Sequence, residues 1–236
     1  MAIATVVSIV AERCGSSSDG KPDASPTANV IAATPTPVGT PILPGQLPEG
    51  ATGLLWPIEG GCLPDDDTLM PGADRGYRGG VHEGVDFYDS DNCVTVGINT
   101  EVLAAKGGTV IRADVGYQDL TAVELNRLDA LIEEGHANDA DVVDAFRGRQ
   151  IWIDHGDGIV TRYAHLNGIA EGITEGAQVD AGQLIGYVGE SGTPSSVNAP
   201  GGEVHLHFEV RVGDTYLGVG LDPDAVRELY EEAFAD

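Results

Sequence analysis

Basic residues are scarce in this chain of 236 residues. It contains 12 Lys and Arg against 38 Asp and Glu, which gives a formal net charge of -26. Such a charge repels a nucleic-acid backbone or an anionic lipid surface, and there is no basic patch to release counterions. The composition therefore predicts no nucleic-acid partner, and we attribute the acidity to solubility.

Long apolar runs are also missing, so no transmembrane segment is predicted: no stretch reaches the roughly 18–20 apolar residues that a spanning helix needs. The short run Ala2–Val10 has no Lys or Arg before it and resembles the end of a signal peptide that has lost its basic start. Cys14 followed by GSSSDG resembles a lipoprotein start, but Arg13 stands where that motif has a small residue. We predict an exported protein of the cell envelope or the extracellular space. A membrane tether through the N-terminus is the less favoured alternative.

Cysteine is rare, and its spacing argues against a thiolate metal site. The three cysteines are Cys14, Cys62 and Cys93, and no CxxC motif is present. Cys62 and Cys93 both fall in the region expected to fold, so we predict a disulfide between them in an exported protein.

The N-terminal quarter lacks the composition of a folded domain. Residues 15–48 are rich in Ser, Pro, Thr, Ala and Gly, which bury little surface and stay extended. We predict a residual signal-like or anchor-like segment at 1–14, a disordered linker at 15–53 and a folded domain at 54–236. Joined to an export or anchoring signal, such a linker would let the domain work away from a membrane.

The predicted domain is mainly β. Short alternating or apolar runs are separated by Gly-rich turns, which predicts antiparallel strands packed as sheets in a sandwich-like arrangement. Two helical patterns at about 119–148 interrupt them: Thr121 and Glu124 have capping-box spacing, and Gly135 ends the first pattern. They predict a helical hairpin inserted between strands. A last helix is predicted in DPDAVRELYEEAF, with Asp222 as its N-cap.

Histidines stand out in one strand-like run, GGEVHLHFEVRV. Its polar and apolar residues alternate, so His205 and His207 share one face. Elsewhere, GGVHEGVDFY places His82 four residues before Asp86, and RYAHLNG puts His165 at the end of a strand. Of the remaining histidines, the one in the helical insert is expected to be solvated and the one in IDHGDG to be structural.

The five polar residues His82, Asp86, His165, His205 and His207 include a candidate metal site. Imidazole and carboxylate are donors that Zn²⁺ accepts, and two His with one Asp leave a fourth position open for water. The alternative is that they are scattered polar residues of a β domain, since a His/Asp pair at i, i+4 is common by chance. The same-face histidine pair favours the metal interpretation. If three groups hold zinc, two imidazoles remain to move protons or stabilise an oxyanion, as in a hydrolase.

The motifs HEGVD, YAHL and HLHFE resemble, in order and spacing, those of the lysostaphin-type, LytM-like zinc endopeptidases that cut peptidoglycan peptides. LLWPIEGG resembles the start of the family's domain, and DHGDGIVTRYAHL and GAQVDAGQLIGYVGESG resemble its strand-and-turn core. The resemblance covers about residues 54–220 apart from the helical insert. It implies one Zn²⁺ per domain held by His82, Asp86 and His207, with His165 and His205 as catalytic imidazoles. The implied partners are peptidoglycan peptides.

Three segments depart from the family pattern: DSDNCVTVGIN after the first motif, TPSSVNAPGGEV before the last, and the helical insert. Such loops wall the substrate groove in the family, so the departures concern substrate preference. For the insert, decoration and a groove wall are equal alternatives. The resemblance also leaves a catalytically silent peptidoglycan-binding scaffold or activator as the alternative function, although all five polar residues are present. A phosphocarrier of similar β fold is disfavoured by the carboxylate among the expected ligands and by the export-like N-terminus.

Overall fold

The computed structural model describes residues 40–89 and 92–235 of the chain. The segment 1–14 with Cys14, and the predicted linker up to residue 39, lie outside the described residues. Within the described part, no helix combines the length and the apolar character needed to cross a membrane.

The described residues form mainly short strands. The strands are β1 Asp74–Arg75, β2 Gly80–Val81, β3 Val85–Phe87, β4 Glu101–Leu103, β5 Gly108–Ala113, β6 Ile151–Gly156, β7 Ile159–Ala164, β8 Leu166–Ile169, β9 Gln178–Val179, β10 Leu184–Val188, β11 Leu206–Val212 and β12 Thr215–Tyr216. The helices are α1 Ala122–Glu133, α2 Ala140–Arg147, α3 Pro194–Asn198 and α4 Pro223–Ala233, with 3₁₀ turns at Glu49–Ala51 and Asp67–Leu69.

All strand pairs are antiparallel, which confirms the predicted fold class. The larger sheet has the order β12-β11-β7-β6-β5-β9, and β3 pairs with the first part of β11. A three-stranded sheet has the order β4-β10-β8, and β1 pairs with β2 in a separate hairpin. Strand β11 therefore lies between β7 on one side and β3 followed by β12 on the other.

The hydrophobic core joins both sheets and the C-terminal helix. Phe208 from β11, Ile185 from β10 and Tyr230 from α4 are fully buried members of it. The polar face of β11 is buried as well, since His207 and Glu209 are 7% and 0% exposed. The alternating pattern predicted a half-buried strand, but other elements cover its polar face, so that face is available for an internal site.

The predicted helical insert and C-terminal helix are confirmed. Thr121 and Glu124 form the predicted capping box at the start of α1. Asp222 caps α4 by accepting a hydrogen bond from the backbone N–H of Ala225. Helix α3 lies in a segment that the sequence analysis treated as loop. Helix α3 has only five residues. Thr193 is its N-cap and Pro194 lies in its first turn, which is a helix start signal, but the helix is too short to show the apolar periodicity by which a helix is recognised in sequence.

Residues just before the predicted domain boundary contact the domain. Ala51 is fully buried, and Lys106 Nζ donates hydrogen bonds to the carbonyls of Gly50 and Thr52 at 3.0 and 2.9 Å. The division at residue 54 stays a prediction. The contacts are made by backbone carbonyls and by the small side chain of Ala51, and amino-acid composition does not predict contacts of this kind.

The structure contains the predicted disulfide between Cys62 and Cys93, 31 positions apart in sequence. Closing a loop of this length restricts the unfolded chain, so we expect replacing both cysteines by serine to lower the free energy of unfolding by about 3–4 kcal/mol. Urea unfolding of the oxidised protein and of the double variant measures the difference. A reducing agent should destabilise the parent protein and leave the variant unchanged; equal stability of the two oxidised proteins would contradict the prediction.

Candidate metal centre and cleft

Asp86 and His207 meet because their strands are paired. In the ladder between β3 and β11 the two residues are direct partners, so their side chains leave the sheet side by side. His207 Nδ1 lies 2.7 Å from Asp86 Oδ1. The other carboxylate oxygen, Oδ2, accepts a hydrogen bond from Arg75 Nη2 at 3.3 Å, which fixes the orientation of the carboxylate.

His82 completes a triangle of donor atoms. Its Nε2 lies 3.0 Å from His207 Nδ1 and 3.0 Å from Asp86 Oδ1. Ligand atoms about 2.0–2.1 Å from a tetrahedral zinc would be roughly 3.3 Å apart, so these separations are close to those of a metal site. All three side chains are buried. The donor set of two imidazoles and one carboxylate fits zinc.

The remaining nitrogens of the two imidazoles have partners that suit metal ligands. His82 Nδ1 donates to the carbonyl of Met70 at 3.2 Å, and His207 Nε2 contacts Glu209 Oε1 at 3.1 Å. A metal-binding histidine usually donates its other N–H to a carbonyl or carboxylate. With those protons placed outward, the lone pairs of His82 Nε2 and His207 Nδ1 face each other and Asp86.

The charges of this cluster are coupled. Burial alone would raise the pKa of Asp86, but His82 and His207 outweigh it and hold this pKa well below its usual value. Burial opposes protonation of His207, yet its hydrogen bonds to Asp86 and Glu209 raise its pKa to about 9. Burial lowers the pKa of His82. A metal ion at this position would therefore displace a proton from His207.

His165 and His205 lie beside the triangle with one nitrogen each held by a backbone carbonyl. His165 Nδ1 donates to the carbonyl of Ser191 at 2.9 Å, and His205 Nδ1 donates to that of Glu203 at 2.6 Å. The two ring centroids are 4.5 Å apart. Since a carbonyl only accepts, the Nδ1 atoms carry the protons, and each neutral ring keeps a lone pair on Nε2.

The neutral form of both imidazoles is favoured. Burial lowers the pKa of His205. Burial, together with His205 and His207, lowers the pKa of His165 well below its usual value. Both can thus accept a proton at neutral pH. Tyr88 stacks on the ring of His205 with centroids 4.3 Å apart, which restricts its rotation.

The backbone at His165 is unusual. Its φ is +58°, a left-handed conformation that few residues other than glycine adopt. Its N–H donates to the carbonyl of Arg147 at 2.9 Å. Residues held in this region cluster at functional sites, because surrounding contacts must compensate for the strain.

A cleft of about 570 Å³ opens above these residues. One wall comes from the hairpin of β1 and β2 and the other from the helical insert, through Arg75, Tyr77, Arg78, Ile132, Val143 and Phe146. Asn138 Nδ2, in the turn between α1 and α2, donates to the carbonyl of Arg78 at 3.0 Å and joins the two walls. The insert therefore lines this cleft, which favours the groove wall over decoration.

The other residues weighed from sequence lie away from the triangle. His155 contacts the carbonyl of Gly107 and the hydroxyl of Thr161 at 2.9 and 2.8 Å, as a structural residue does. His136 is exposed and pairs with Asp139 at 2.9 Å. Both placements agree with the sequence analysis.

Sequence reasoning missed Glu209 and Arg147. Glu209 follows His207 by two positions on the same strand face, so the period-2 pattern that paired the histidines could have identified it. Arg147, at the end of α2, contacts Glu209 from 62 positions away, and no local pattern signals such a contact.

Several known proteins are similar to this chain. The profile of Peptidase family M23 matches residues 80–219. The DD-carboxypeptidase/endopeptidase Mpg of Neisseria meningitidis is 31% identical over 105 residues, which cover 41% of this chain and 22% of the relative. The chain thus spans about a fifth of that curated relative.

Solved structures of similar topology include a zinc-containing peptidase from Vibrio cholerae, at 20% identity and a TM-score of 0.44, covering 70% of this chain and 38% of that one. Another is the catalytic domain of the antimicrobial peptidase lysostaphin from Staphylococcus simulans, at 23% identity and a TM-score of 0.38. The match covers 66% of this chain and 81% of the lysostaphin domain.

Proposed function

This chain belongs to peptidase family M23, and we propose that it is a zinc-dependent metalloendopeptidase that hydrolyses peptide bonds in peptidoglycan cross-links or stem peptides. The observation that carries the proposal is the triangle of His82, Asp86 and His207 beside two imidazoles with free Nε2 atoms, at the floor of a cleft. The cleft is open to a peptide, and the residues at its floor provide both metal ligands and proton acceptors.

His82, Asp86 and His207 would hold one zinc ion through Nε2, Oδ1 and Nδ1. Bound there, zinc would supply Lewis acidity towards the scissile carbonyl and lower the pKa of an attacking water. Met70, Arg75 and Glu209 keep the three ligand side chains in position through the hydrogen bonds described above. These partners reduce the entropy that the side chains would otherwise lose on binding metal.

His165 and His205 would carry the proton chemistry. A neutral imidazole with its lone pair on Nε2 can accept the proton of an attacking water. The same ring, once protonated, can donate from Nε2 to the developing oxyanion or to the leaving amine. Two imidazoles with centroids 4.5 Å apart can divide these tasks on either side of one peptide bond.

The proposed location is the cell envelope or the extracellular space, with a tether through the N-terminus as the alternative. The disulfide between Cys62 and Cys93 supports an oxidising compartment. Peptidoglycan is present in the same location, so enzyme and proposed substrate would meet outside the cytoplasm.

Metal removal tests the proposal. Dialysis against a chelator should reduce release of peptide fragments from purified peptidoglycan to background, and one equivalent of zinc should restore it, because the ligand set is built for a single ion. Mass spectrometry of the fragments identifies the bond that is cut. A His136→Ala variant, altered at an exposed histidine, is the matched control and should behave as the parent.

Two results would contradict the proposal. Full cleavage by protein shown to be metal-free would exclude zinc dependence. Zinc stoichiometry near zero, with no cleavage at any zinc concentration, would instead favour the silent peptidoglycan-binding scaffold.

A further inference from the structure

A line of contacts leads from the helical insert to a proposed zinc ligand. Arg147, the last residue of α2, places Nε 2.7 Å and Nη2 2.6 Å from Glu209 Oε1. The same oxygen lies 3.1 Å from His207 Nε2. One carboxylate oxygen therefore joins the end of the insert to the imidazole whose other nitrogen faces the metal position.

The arginines around Glu209 are not equivalent. Arg162 and Arg211 contact the second oxygen, Oε2, at 3.4 and 3.3 Å. Arg147 contacts the oxygen that faces His207, and it also holds Glu83 at 2.9 Å. Because Glu209 is completely buried, its rotation depends on these partners, and Arg147 constrains the oxygen that orients His207.

The backbone at the end of the insert holds a second functional residue. The carbonyl of Arg147 accepts the N–H of His165, the residue with positive φ, at 2.9 Å. Two positions on, the N–H of Arg149 donates to Ser191 Oγ at 2.9 Å, and the carbonyl of Ser191 holds His165 Nδ1. The insert thus ends against both the backbone and the ring partner of His165.

Gly148 makes this close approach feasible. Its φ is +67°, and a Cβ there would lie 2.1 Å from the carbonyl oxygen of Ser191. A side chain would force the insert away from Ser191, so the junction between insert and site depends on a glycine.

We infer that the helical insert is a positioning element of the metal centre and that Arg147 is its positioning residue, acting on His207 through Glu209 and on His165 through its own carbonyl. This inference rests on the proposed function, because it assumes that His207 binds zinc. It extends the role of the insert beyond that of a cleft wall: loss of the contacts that Arg147 makes at the end of the insert alters metal affinity, whereas loosening of the helix elsewhere does not.

Zinc affinity of the metal-free protein tests this inference without relying on activity. In Arg147→Met the side chain loses its charge and its contacts with Glu209. We expect zinc to bind about 10-fold more weakly, the lower end of the range for direct partners of metal ligands, because Arg147 acts on His207 through Glu209. Arg147→Lys keeps a charge near Glu209 but loses the paired nitrogens, so its affinity should lie between those of parent and Met variant.

The matched control is Arg112→Met. Arg112, on β5, pairs with Asp144 of α2 at 2.5 Å and so anchors the same helix, without contacting Glu209. Competition with a chromogenic chelator gives the zinc affinity of each variant, and circular dichroism gives its folding. We expect Arg112→Met to keep parent affinity within about threefold, even if its melting temperature falls as far as that of Arg147→Met.

The possible results separate the two proposals. If the parent protein binds no zinc, the proposed function fails. If the parent binds zinc and both Arg147 variants bind it with the same affinity as the parent, the inference is overturned but the proposed function is not. It is also overturned if Arg112→Met weakens zinc binding as much as Arg147→Met, because the effect would then be loosening of the helix. If Arg147→Met does not fold, Arg147→Lys decides: reduced affinity supports the inference and parent affinity overturns it.

Discussion

Replacing His207 by alanine is expected to abolish both zinc binding and peptidoglycan cleavage, whereas replacing His205 by alanine should abolish cleavage and leave zinc bound. The two residues lie two positions apart on one strand face, but they face different atoms. His207 Nδ1 is 2.7 Å from Asp86 Oδ1, inside the triangle of donor atoms. His205 Nε2 is 3.8 Å from the same oxygen, outside it.

The expected magnitudes differ accordingly. Losing one of three protein ligands should weaken zinc binding by more than the roughly 10–100-fold typical of a change behind a ligand. Losing an imidazole that moves protons should lower the turnover rate by about 10²–10⁴-fold. Zinc content by elemental analysis, zinc affinity by chelator competition and fragment release from peptidoglycan measure the two effects separately.

The control is again His136→Ala, which removes an exposed imidazole and should preserve both properties. A His205→Ala protein that loses its zinc would assign His205 to the metal. A His207→Ala protein with parent zinc affinity would remove His207 from the ligand set. Either outcome would reverse the roles that the resemblance implies.

Replacing Glu209 by glutamine is expected to lower the free energy of unfolding by about 3–5 kcal/mol in the metal-free protein. Glu209 is completely buried and is paired with Arg147, Arg162 and Arg211. Glutamine has similar volume but no charge, so three guanidinium groups would lose their shared counter-charge in a poorly solvated position. Urea unfolding of the chelated proteins measures the loss.

The same variant should change the acid dependence of stability. Burial would raise the pKa of Glu209, but Arg147 and His207 outweigh it, so this pKa is lower in the folded protein than its ordinary value of 4.5. A carboxyl group with a lowered folded pKa stabilises the protein above the pKa of the unfolded chain, and this stabilisation is lost as the pH falls below it. Glu209→Gln should therefore reduce the difference in stability between pH 7 and pH 3.

An exposed carboxylate provides the comparison. Asp139 pairs with His136 at the surface, and exposed ion pairs contribute little. Asp139→Asn should change the free energy of unfolding by less than about 1 kcal/mol. If Glu209→Gln is no more destabilising than Asp139→Asn, the buried charge network does not stabilise the fold.

The sequence predicted the site better than its surroundings. Motif spacing and strand periodicity were sufficient to propose His82, Asp86, His165, His205 and His207, and the antiparallel pairing of β3 with β11 places Asp86 beside His207. Their roles stay predictions until zinc binding and cleavage are measured. The helical insert and the last helix were also predictable, because caps and helical spacing are local signals.

The surroundings depend on contacts between distant segments. The contact between Arg147 and Glu209 requires the insert to fold back onto β11, and the sequence around either residue does not indicate this contact. The burial of both faces of β11 has the same origin: alternation shows which residues share a face, but it does not show what covers that face. Helix α3 escaped prediction because its five residues, PSSVN, are too few to show a hydrophobic period and contain one large apolar side chain.

The left-handed backbone at His165 has a practical consequence for trapping a bound substrate. An alanine there removes the imidazole but leaves a side chain that poorly tolerates φ of +58°, so a failure to bind could reflect a displaced loop. Asparagine is among the few residues that accept this conformation. His165→Asn is therefore the better candidate for an inactive form with which to crystallise an uncleaved peptide in the cleft, since it removes the proposed proton acceptor while keeping the local chain geometry.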